Sequence, residues 1–317
     1  MLRLITGALV AAATLHPTPP ADSTRRVETH APTRSRRAHR DNTPDSVWAA
    51  RWAAPVPTPL PGAILPTSRI VAFYGNPLSK RMGVLGQYPV DSMLARLDRE
   101  VAAWRAADST TPAIPALHLI AVVAQAGPGS DGKYRARMPD AMIEQVYAWA
   151  AMRHALLFLD IQLGRSTVAD ELPRLAPYLR RPNVHLALDP EFAMHKSEVP
   201  GRKIGTLDAD DINTAITFLA KLAVDDSLPP KVLVVHRFTR PMLTHFDRIA
   251  LDPHVQVVVD MDGFGPPTLK RDSYHAYVFA APVQYAGWKT FFRQDAPRMP
   301  IADILKLNPA PLYIQYQ

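Results

Sequence analysis

Three segments of the chain carry polar or acidic residues two positions apart: Asp160 with Gln162, Asp189 with Glu191, and Asp260 with Asp262. Each lies at the end of a short apolar run, and in an extended strand residues i and i+2 project to the same side. Five carboxyl groups on three strands aimed in common directions suit cleavage of a glycosidic bond. One carboxylic acid protonates the leaving oxygen, while a second carboxylate attacks the anomeric carbon or activates water against an oxocarbenium-like centre. Neighbouring carboxylates also separate each other's proton affinities, because two close negative charges do not both ionise cheaply. On this reading Glu191 is the acid/base and Asp189, Asp160 or Asp260 its partner carboxylate. The Asp-x-Glu spacing sets Cα atoms about 6.6 Å apart along a strand, so either member can act with a carboxylate from another strand. A separation of about 5 Å gives retention and about 6.5–9.5 Å gives inversion, which spacing in sequence leaves open.

Other polar residues fall at the ends of the remaining runs. Tyr74 and Asn76 close the first, Gln125 the second and His236 the fifth, while Lys289 sits in the seventh and Tyr313 and Gln315 share one face of the eighth. With Gln162 and Asp262 these are the expected substrate-binding groups, and Tyr74, Phe192, Phe264, Trp288 and Tyr313 are candidate stacking platforms. His118, His185 and His195 read as structural or surface residues. Two other readings stay open. In one, Asp160, Glu191, His236 and Asp260 hold a divalent cation, and oxygen-rich ligands with one histidine suit Mg, Mn or Ca better than Zn. In the other, the protein binds carbohydrate without turning it over. The preferred reading needs neither cofactor nor metal, and no Gly-x-Ser-x-Gly elbow supports serine chemistry.

The elements that must position these residues follow a repeating pattern. The apolar runs are Arg69–Tyr74, Leu117–Gln125, Leu156–Leu163, Val184–Phe192, Lys231–Phe238, Val255–Met261, Ala286–Phe292 and Leu312–Tyr316. Their near-continuous Val, Ile, Leu and Ala content fits strands covered on both faces, as parallel strands are. Between them, 90–107 places Met93, Leu94, Leu97, Val101 and Trp104 on one helical stripe, and 140–154 does the same with Ile143, Val146, Tyr147 and Ala150. Asp208 is an expected N-cap for a helix carrying Ile212, Ile216, Leu219 and Leu222, and 300–307 gives a shorter last helix. Eight alternations predict an α/β fold, a (β/α)8 TIM barrel. The eighth strand stands at the C-terminus with no eighth helix after it, which leaves 45–66 as the expected cover for that strand. An open doubly wound sheet would need a phosphate-binding glycine loop after the first strand, and Gly75-Asn76-Pro77 is not one.

Composition bounds the rest. The chain has 317 residues, is 47% hydrophobic and 21% charged, and has 32 Pro, 14 Gly and no Cys, which excludes a wholly disordered protein, a disulfide scaffold and a cysteine nucleophile. Of the net charge of +7, residues 1–52 supply eight arginines against four acids, so the remainder is close to neutral. A nucleic-acid partner is therefore not expected, because the basic residues cluster outside the folded part. Met1-Leu2-Arg3 followed by a short Ala-rich apolar stretch reads as a signal peptide over 1–21, and hence as a secreted or envelope-associated protein. Residues 22–68 read as a flexible Pro- and Arg-rich linker with Arg34, Arg36, Arg37 and Arg40 together, in which Trp48 and Trp52 mark a short amphipathic segment packed on the domain. The barrel is assigned 69–317, acting as a monomer on a carbohydrate or cell-wall polymer, with no integral membrane segment after signal removal.

Several strings carry a resemblance: Tyr74-Gly75-Asn76-Pro77 with Gly83-Val84-Leu85-Gly86, Leu159-Asp160-Ile161-Gln162-Leu163-Gly164-Arg165-Ser166, Ala187-Leu188-Asp189-Pro190-Glu191-Phe192, Asp262-Gly263-Phe264-Gly265 and Ile314-Gln315-Tyr316-Gln317. Over 69–317 the chain resembles a family of secreted bacterial proteins without an established activity, which implies export and fold rather than a reaction. Asp189 and Glu191 also look like the Asp-x-Glu at the end of strand four in chitinase-like and lysozyme-like glycosidase barrels. The acidic residues that precede it in chitinases are replaced by Val184-His185-Leu186-Ala187, so a substrate-assisted mechanism is not implied.

Overall fold

The computed structural model describes residues 43–195 and 197–317. The expected signal peptide, the arginine cluster and the linker up to residue 42 lie outside the described residues. Eight strands form the centre: β1 (Arg69–Gly75), β2 (Ala113–Ala124), β3 (Leu156–Ile161), β4 (Val184–Leu188), β5 (Lys231–Arg237), β6 (Val255–Met261), β7 (Tyr285–Thr290) and β8 (Tyr313–Tyr316). Each is paired in parallel with the next, and β1 pairs with both β2 and β8, so the ring closes. All eight apolar runs are ring strands. The Ile70↔Tyr313 register between β1 and β8 leaves no edge, which excludes the open doubly wound sheet.

Two apolar clusters follow from the alternation along these strands. Ile70, Ala72, Ala116, Phe158, Ala187, Val234, Val258 and Tyr313 fill the barrel interior. Their neighbours Val71, Phe73, Leu117, Leu157, Leu159, Leu233, Val235 and Ile314 face outward into the helices. Alanine and valine at Ala72, Ala116, Ala187, Val234 and Val258 beside Phe158 and Tyr313 let two large rings fit within one barrel, since a closed interior is filled by layers of side chains of unequal size.

The helices form where sequence periodicity places them. Val90–Ala107 buries Met93, Leu94, Leu97, Val101 and Trp104, and Asp140–Ala151 buries Met142, Ile143, Val146 and Ala150. The latter stops before His154, which takes the left-handed conformation, φ 48°, in the turn into β3. Asp208 caps Ala209–Asp225 in a reciprocal box with Asp211, whose carboxylate accepts the Asp208 N–H at 2.9 Å. The last helix, Ile301–Ile304, is shorter than 300–307.

The segment before β1 does not cover β8, and its described part is not a free tether. In place of an α-helix, the β5–β6 connection has two 3-10 turns, Arg240–Met242 and Phe246–Arg248, and a short strand, Leu243–Thr244, paired with Leu207–Asp208. The helix Asp45–Trp52 packs against this connection and the one after β6: Trp48 lies 6.5 Å from the Phe246 ring, and Trp52 Nε1 donates at 2.9 Å to the carbonyl of Phe279, which precedes β7. The outer face of β8 is already closed, because Tyr316 stacks on Phe292 at 5.2 Å and its hydroxyl accepts from Trp104 Nε1 at 2.9 Å. An amphipathic helix goes where apolar area is left uncovered, and here that is beside β5 and β6.

Further along, Leu65 joins the interior cluster from below. The Gln256 amide fastens it there, with Oε1 accepting from Ile64 N at 2.9 Å and Leu65 N at 3.1 Å. Replacing Leu65 by alanine removes a fully enclosed side chain, so Leu65→Ala should lose about 2–4 kcal/mol in urea unfolding. Leu78→Ala, at a position 73% exposed, should stay within about 0.5 kcal/mol of the parent.

Candidate functional site

The period of two that fills the lower barrel with carbon brings ionisable groups to the top. Tyr74 of β1, His118 of β2, Asp160 of β3, His236 of β5, Asp260 of β6, Lys289 of β7 and Gln315 of β8 are all buried there, joined by Asp189 after β4 and Asp262 after β6. Glu191 is the one acid of this set that is partly exposed. Among the described residues none of the five carboxyl groups is paired with an arginine. The three acidic strand ends therefore converge in one mouth, as the sequence spacing predicts.

Asp189 and Glu191 stand in a tight turn beyond β4. The Asp189 carboxylate accepts the Glu191 N–H at 3.1 Å and so starts the 3-10 turn Pro190–Phe192, while the Glu191 carbonyl accepts from Gly205 N at 2.7 Å. Burial, with Asp160 and Asp262 nearby, pushes the Asp189 carboxyl up to about 7. Burial, then the neighbouring charges of Asp189 and Asp262, pushes Glu191 up to about 8. Both therefore keep a proton in conditions where an ordinary carboxyl has lost it.

The opposite wall is a chain of opposite charges. His236 Nδ1 lies 3.4 Å from Asp260 and 3.3 Å from Asp262, and Lys289 Nζ pairs with Asp262 at 2.9 Å. Burial alone would strip the proton from His236, but the surrounding carboxylates outweigh it and hold the imidazole well above its usual range. Burial raises Asp260, whereas for Asp262 the Lys289 ammonium and His236 overcome burial and keep the carboxyl low. Lys289 Nζ also sits 3.9 Å over the Tyr74 ring. Its backbone is held by Lys270, whose ammonium donates to the Lys289 carbonyl at 2.6 Å and pairs with buried Asp295. Asp295 in turn accepts from Gly265 N and Phe291 N, both at 2.9 Å, tying the loops after β6 and β7 together.

A third group lies deeper. His118 Nδ1 is 2.6 Å from the Tyr313 hydroxyl and 3.1 Å from Gln315 Nε2, and its ring stacks on Phe158 at 5.6 Å. Its Nε2 faces Asp160 Oδ2 at 3.7 Å, and His236 Nε2 faces the same oxygen at 3.9 Å. Burial takes His118 down to about 4. Burial works to raise Asp160, but the two imidazoles prevail and its carboxyl falls below the usual range.

Several expected substrate-binding residues do not reach open space. Asn76 is consumed by the backbone: Nδ2 donates to the Ile120 carbonyl at 3.0 Å and Oδ1 accepts from Leu78 N at 2.9 Å. It pins a doubled-back loop in which a Cβ on Gly86 would lie 2.1 Å from the Asn76 carbonyl oxygen, which accounts for the glycine there. Gln125 lies beyond the mouth and accepts no group from it. Its N–H bonds to the Tyr134 carbonyl at 2.8 Å, because β2 runs on to pair with Arg135–Arg137. Gln162 is in the mouth as a strut, accepting from Ala124 N at 3.1 Å and donating at 3.4 Å to both Tyr74 and Asp189. Tyr313 and Gln315 are fully enclosed, so the first is not exposed as a stacking platform and the second is not exposed to a substrate hydroxyl. Trp288 points outward, packed 5.9 Å from Tyr274 among the helices.

His118 is the residue that sequence reading sets aside and the fold makes central. His118 pairs in register with Phe158 and Ile120 with Asp160; the slip comes only after them, between Ile120 and Val122, and so displaces Gln125 rather than His118. The available signal was the alternation Ile114, Ala116, His118, which places a lone imidazole on the inner face.

Room for Asp260 depends on the absence of a side chain at Gly287, where an added Cβ would lie 2.6 Å from Asp260 Oδ1. Gly287→Ala should therefore cost about 1–3 kcal/mol in denaturant unfolding. The effect should be non-additive with Asp260→Ala by more than about 0.5 kcal/mol in a double-mutant cycle.

No protein-family model matches the chain, and neither does any curated protein. Among solved structures it is similar to the crystal structure of a ruminal GH26 endo-beta-1,4-mannanase, at 14% identity and a TM-score of 0.37, over 79% of this chain and 58% of that one. The chain thus spans less than two thirds of that enzyme's length.

Proposed function

We propose that the protein is an exported glycoside hydrolase acting on a cell-wall or environmental polysaccharide by carboxylate acid/base catalysis. One observation carries the reading: Glu191 stands partly exposed at the lip of the barrel mouth, backed by buried Asp189, across from an Asp262 carboxylate paired with Lys289. That is a proton donor and a fixed negative charge on two different strand ends, which is what glycosidic cleavage needs.

In this mechanism the Glu191 carboxylic acid gives its proton to the glycosidic oxygen as the bond to the anomeric carbon breaks. Water adds to that carbon and loses its proton to a carboxylate, for which Asp262 is the most accessible of the four buried acids. Asp189 orders the Glu191 backbone and raises its proton affinity. Asp160 and Asp260 are fully enclosed, which makes them supports of the charge pattern rather than partners of Glu191. Tyr74 and Lys289 shape the floor. One chain supplies every residue, consistent with a monomer as the acting unit.

Release of reducing ends from a panel of β-linked and α-linked polysaccharides tests the proposal. Glu191→Gln should release at least about 100-fold less than the parent from whichever polymer is cleaved. Equal release by parent and variant, or none from any polymer, would reject it. Activity should decline as pH rises through about 8, where Glu191 loses its proton among Asp189, Asp262, Lys289 and His236.

Stability should move with pH in a definite direction. The folded chain binds this proton more tightly than the unfolded chain, so the parent loses stability as pH rises from the ordinary carboxylate range toward about 8. Glu191→Gln removes that penalty. At pH 8 its urea unfolding free energy should exceed the parent's by about 1–3 kcal/mol, with the gap closing near pH 4.

A further inference from the structure

The polar atoms of the deeper group are left without partners in a place closed to water. His118 Nε2, His236 Nε2 and both oxygens of Asp160 have no hydrogen-bond partner, and the three residues are fully buried. Stranding one such group costs about 1–3 kcal/mol, more when it is charged. Four orphaned atoms aimed at one another imply that something else satisfies them.

We propose that His118, Asp160 and His236 bind a divalent first-row transition-metal ion, with Zn²⁺ as the probe of choice. One ligand atom from each of the three lies within 4.8 Å of those of the others. The His118 Nε2 and His236 Nε2 separations of 3.7 Å and 3.9 Å share Asp160 Oδ2. Donors about 2.0–2.2 Å from a common ion sit roughly 3.0–3.5 Å apart, so each imidazole has to move a little closer to Asp160, and the two imidazoles have to lie within the same small space, which the 4.8 Å limit on the set bounds.

The surroundings set up both imidazoles for this role. A metal-binding histidine uses one ring nitrogen and usually donates its other N–H to a carboxylate, carbonyl or similar acceptor, which fixes tautomer and orientation. His236 has Nδ1 toward Asp260 and Asp262 at 3.4 and 3.3 Å, within ion-pair reach though not hydrogen-bonded, and its Nε2 faces Asp160. His118 has Nδ1 against the Tyr313 hydroxyl at 2.6 Å, leaving its Nε2 free. Phe158 stacks on His118, and the absence of a side chain at Gly287 leaves room for Asp260 beside His236.

The donor set also selects the ion. Two imidazoles and one carboxylate suit Zn²⁺, Fe²⁺ or Mn²⁺, whereas Mg²⁺ and Ca²⁺ prefer oxygen throughout. This differs from the oxygen-rich set of Asp160, Glu191, His236 and Asp260 that the sequence suggests, because His118 enters and Glu191 belongs to the other wall. Three protein ligands leave coordination positions open. The site does not depend on the carbohydrate reading.

The test uses the full chain without a polyhistidine tag, stripped with chelator and titrated calorimetrically with Zn²⁺, Mn²⁺ and Mg²⁺. One Zn²⁺ should bind per chain, more tightly than Mn²⁺ and far more tightly than Mg²⁺, and raise the melting temperature by mass action. His118→Gln and Asp160→Asn should each weaken Zn²⁺ binding at least about 100-fold, while Glu191→Gln should bind as the parent does. Co²⁺ added to the parent should give visible absorption of a protein-bound ion that excess Zn²⁺ abolishes, a readout that does not rely on variants folding. No binding by the parent, or binding unchanged in both ligand variants, would overturn the proposal. Zn²⁺ binding without polysaccharide cleavage would uphold this site and reject the glycosidase.

Discussion

The constraint on which the rest of this structure depends is the dryness of the barrel's upper layer. Asp160, Asp189, His118, His236, Asp260 and Lys289 are all buried within one ring of side chains. An isolated charge there is costly, so each group is forced to share a proton, a counter-charge or an ion with its neighbours. The same desolvation raises Glu191 and Asp189, lowers His118 and locks Asp262 to Lys289. A single physical cause thus makes some members proton donors, others fixed charges, and leaves a third set with lone pairs and no partner.

The mouth divides into two walls with different chemistry. On the β4 side, carboxyl groups hold protons because nothing positive pairs with them closely. On the β5–β7 side, carboxylates hold charge because His236 and Lys289 stand within ion-pair distance. Between and below them, the imidazoles of His118 and His236 converge on Asp160. The Lys270–Asp295 pair keeps this division by fixing the loops from which Lys289 and Asp262 project. Fold stability and site polarity are in tension here, as they are where groups are placed for chemistry rather than for packing.

Much of this was legible in the residue pattern. Eight apolar runs at helix-separated spacing announce parallel strands buried on both faces, and the period of two assigns Asp160, Asp189, Asp260 and Asp262 to a common side. Trp48 and Trp52 announce a helix that needs a surface to cover. What the pattern missed has local causes. Asn76 and Gln125 end their runs in sequence, but one is consumed by a turn and the other is carried past the mouth by the bulge in β2. His118 lies inside an apolar run and looks like core until the ring closes around it. Periodicity is blind to a one-residue slip, and a slip changes which side chain is level with its neighbours.

The sequence alone determined the strand-and-helix order, the closed barrel it implies, the acidic strand ends and their common inward side, because each rests on local periodicity. Tertiary structure decided which of those groups meet and at what distance. It seated Asp45–Trp52 beside β5 and β6 rather than on β8, and it placed two histidines from β2 and β5, 118 chain positions apart, against one aspartate. Proton affinity and ligand geometry depend on burial and on distances of a few ångströms across the ring, and those exist only once non-adjacent strands are brought together.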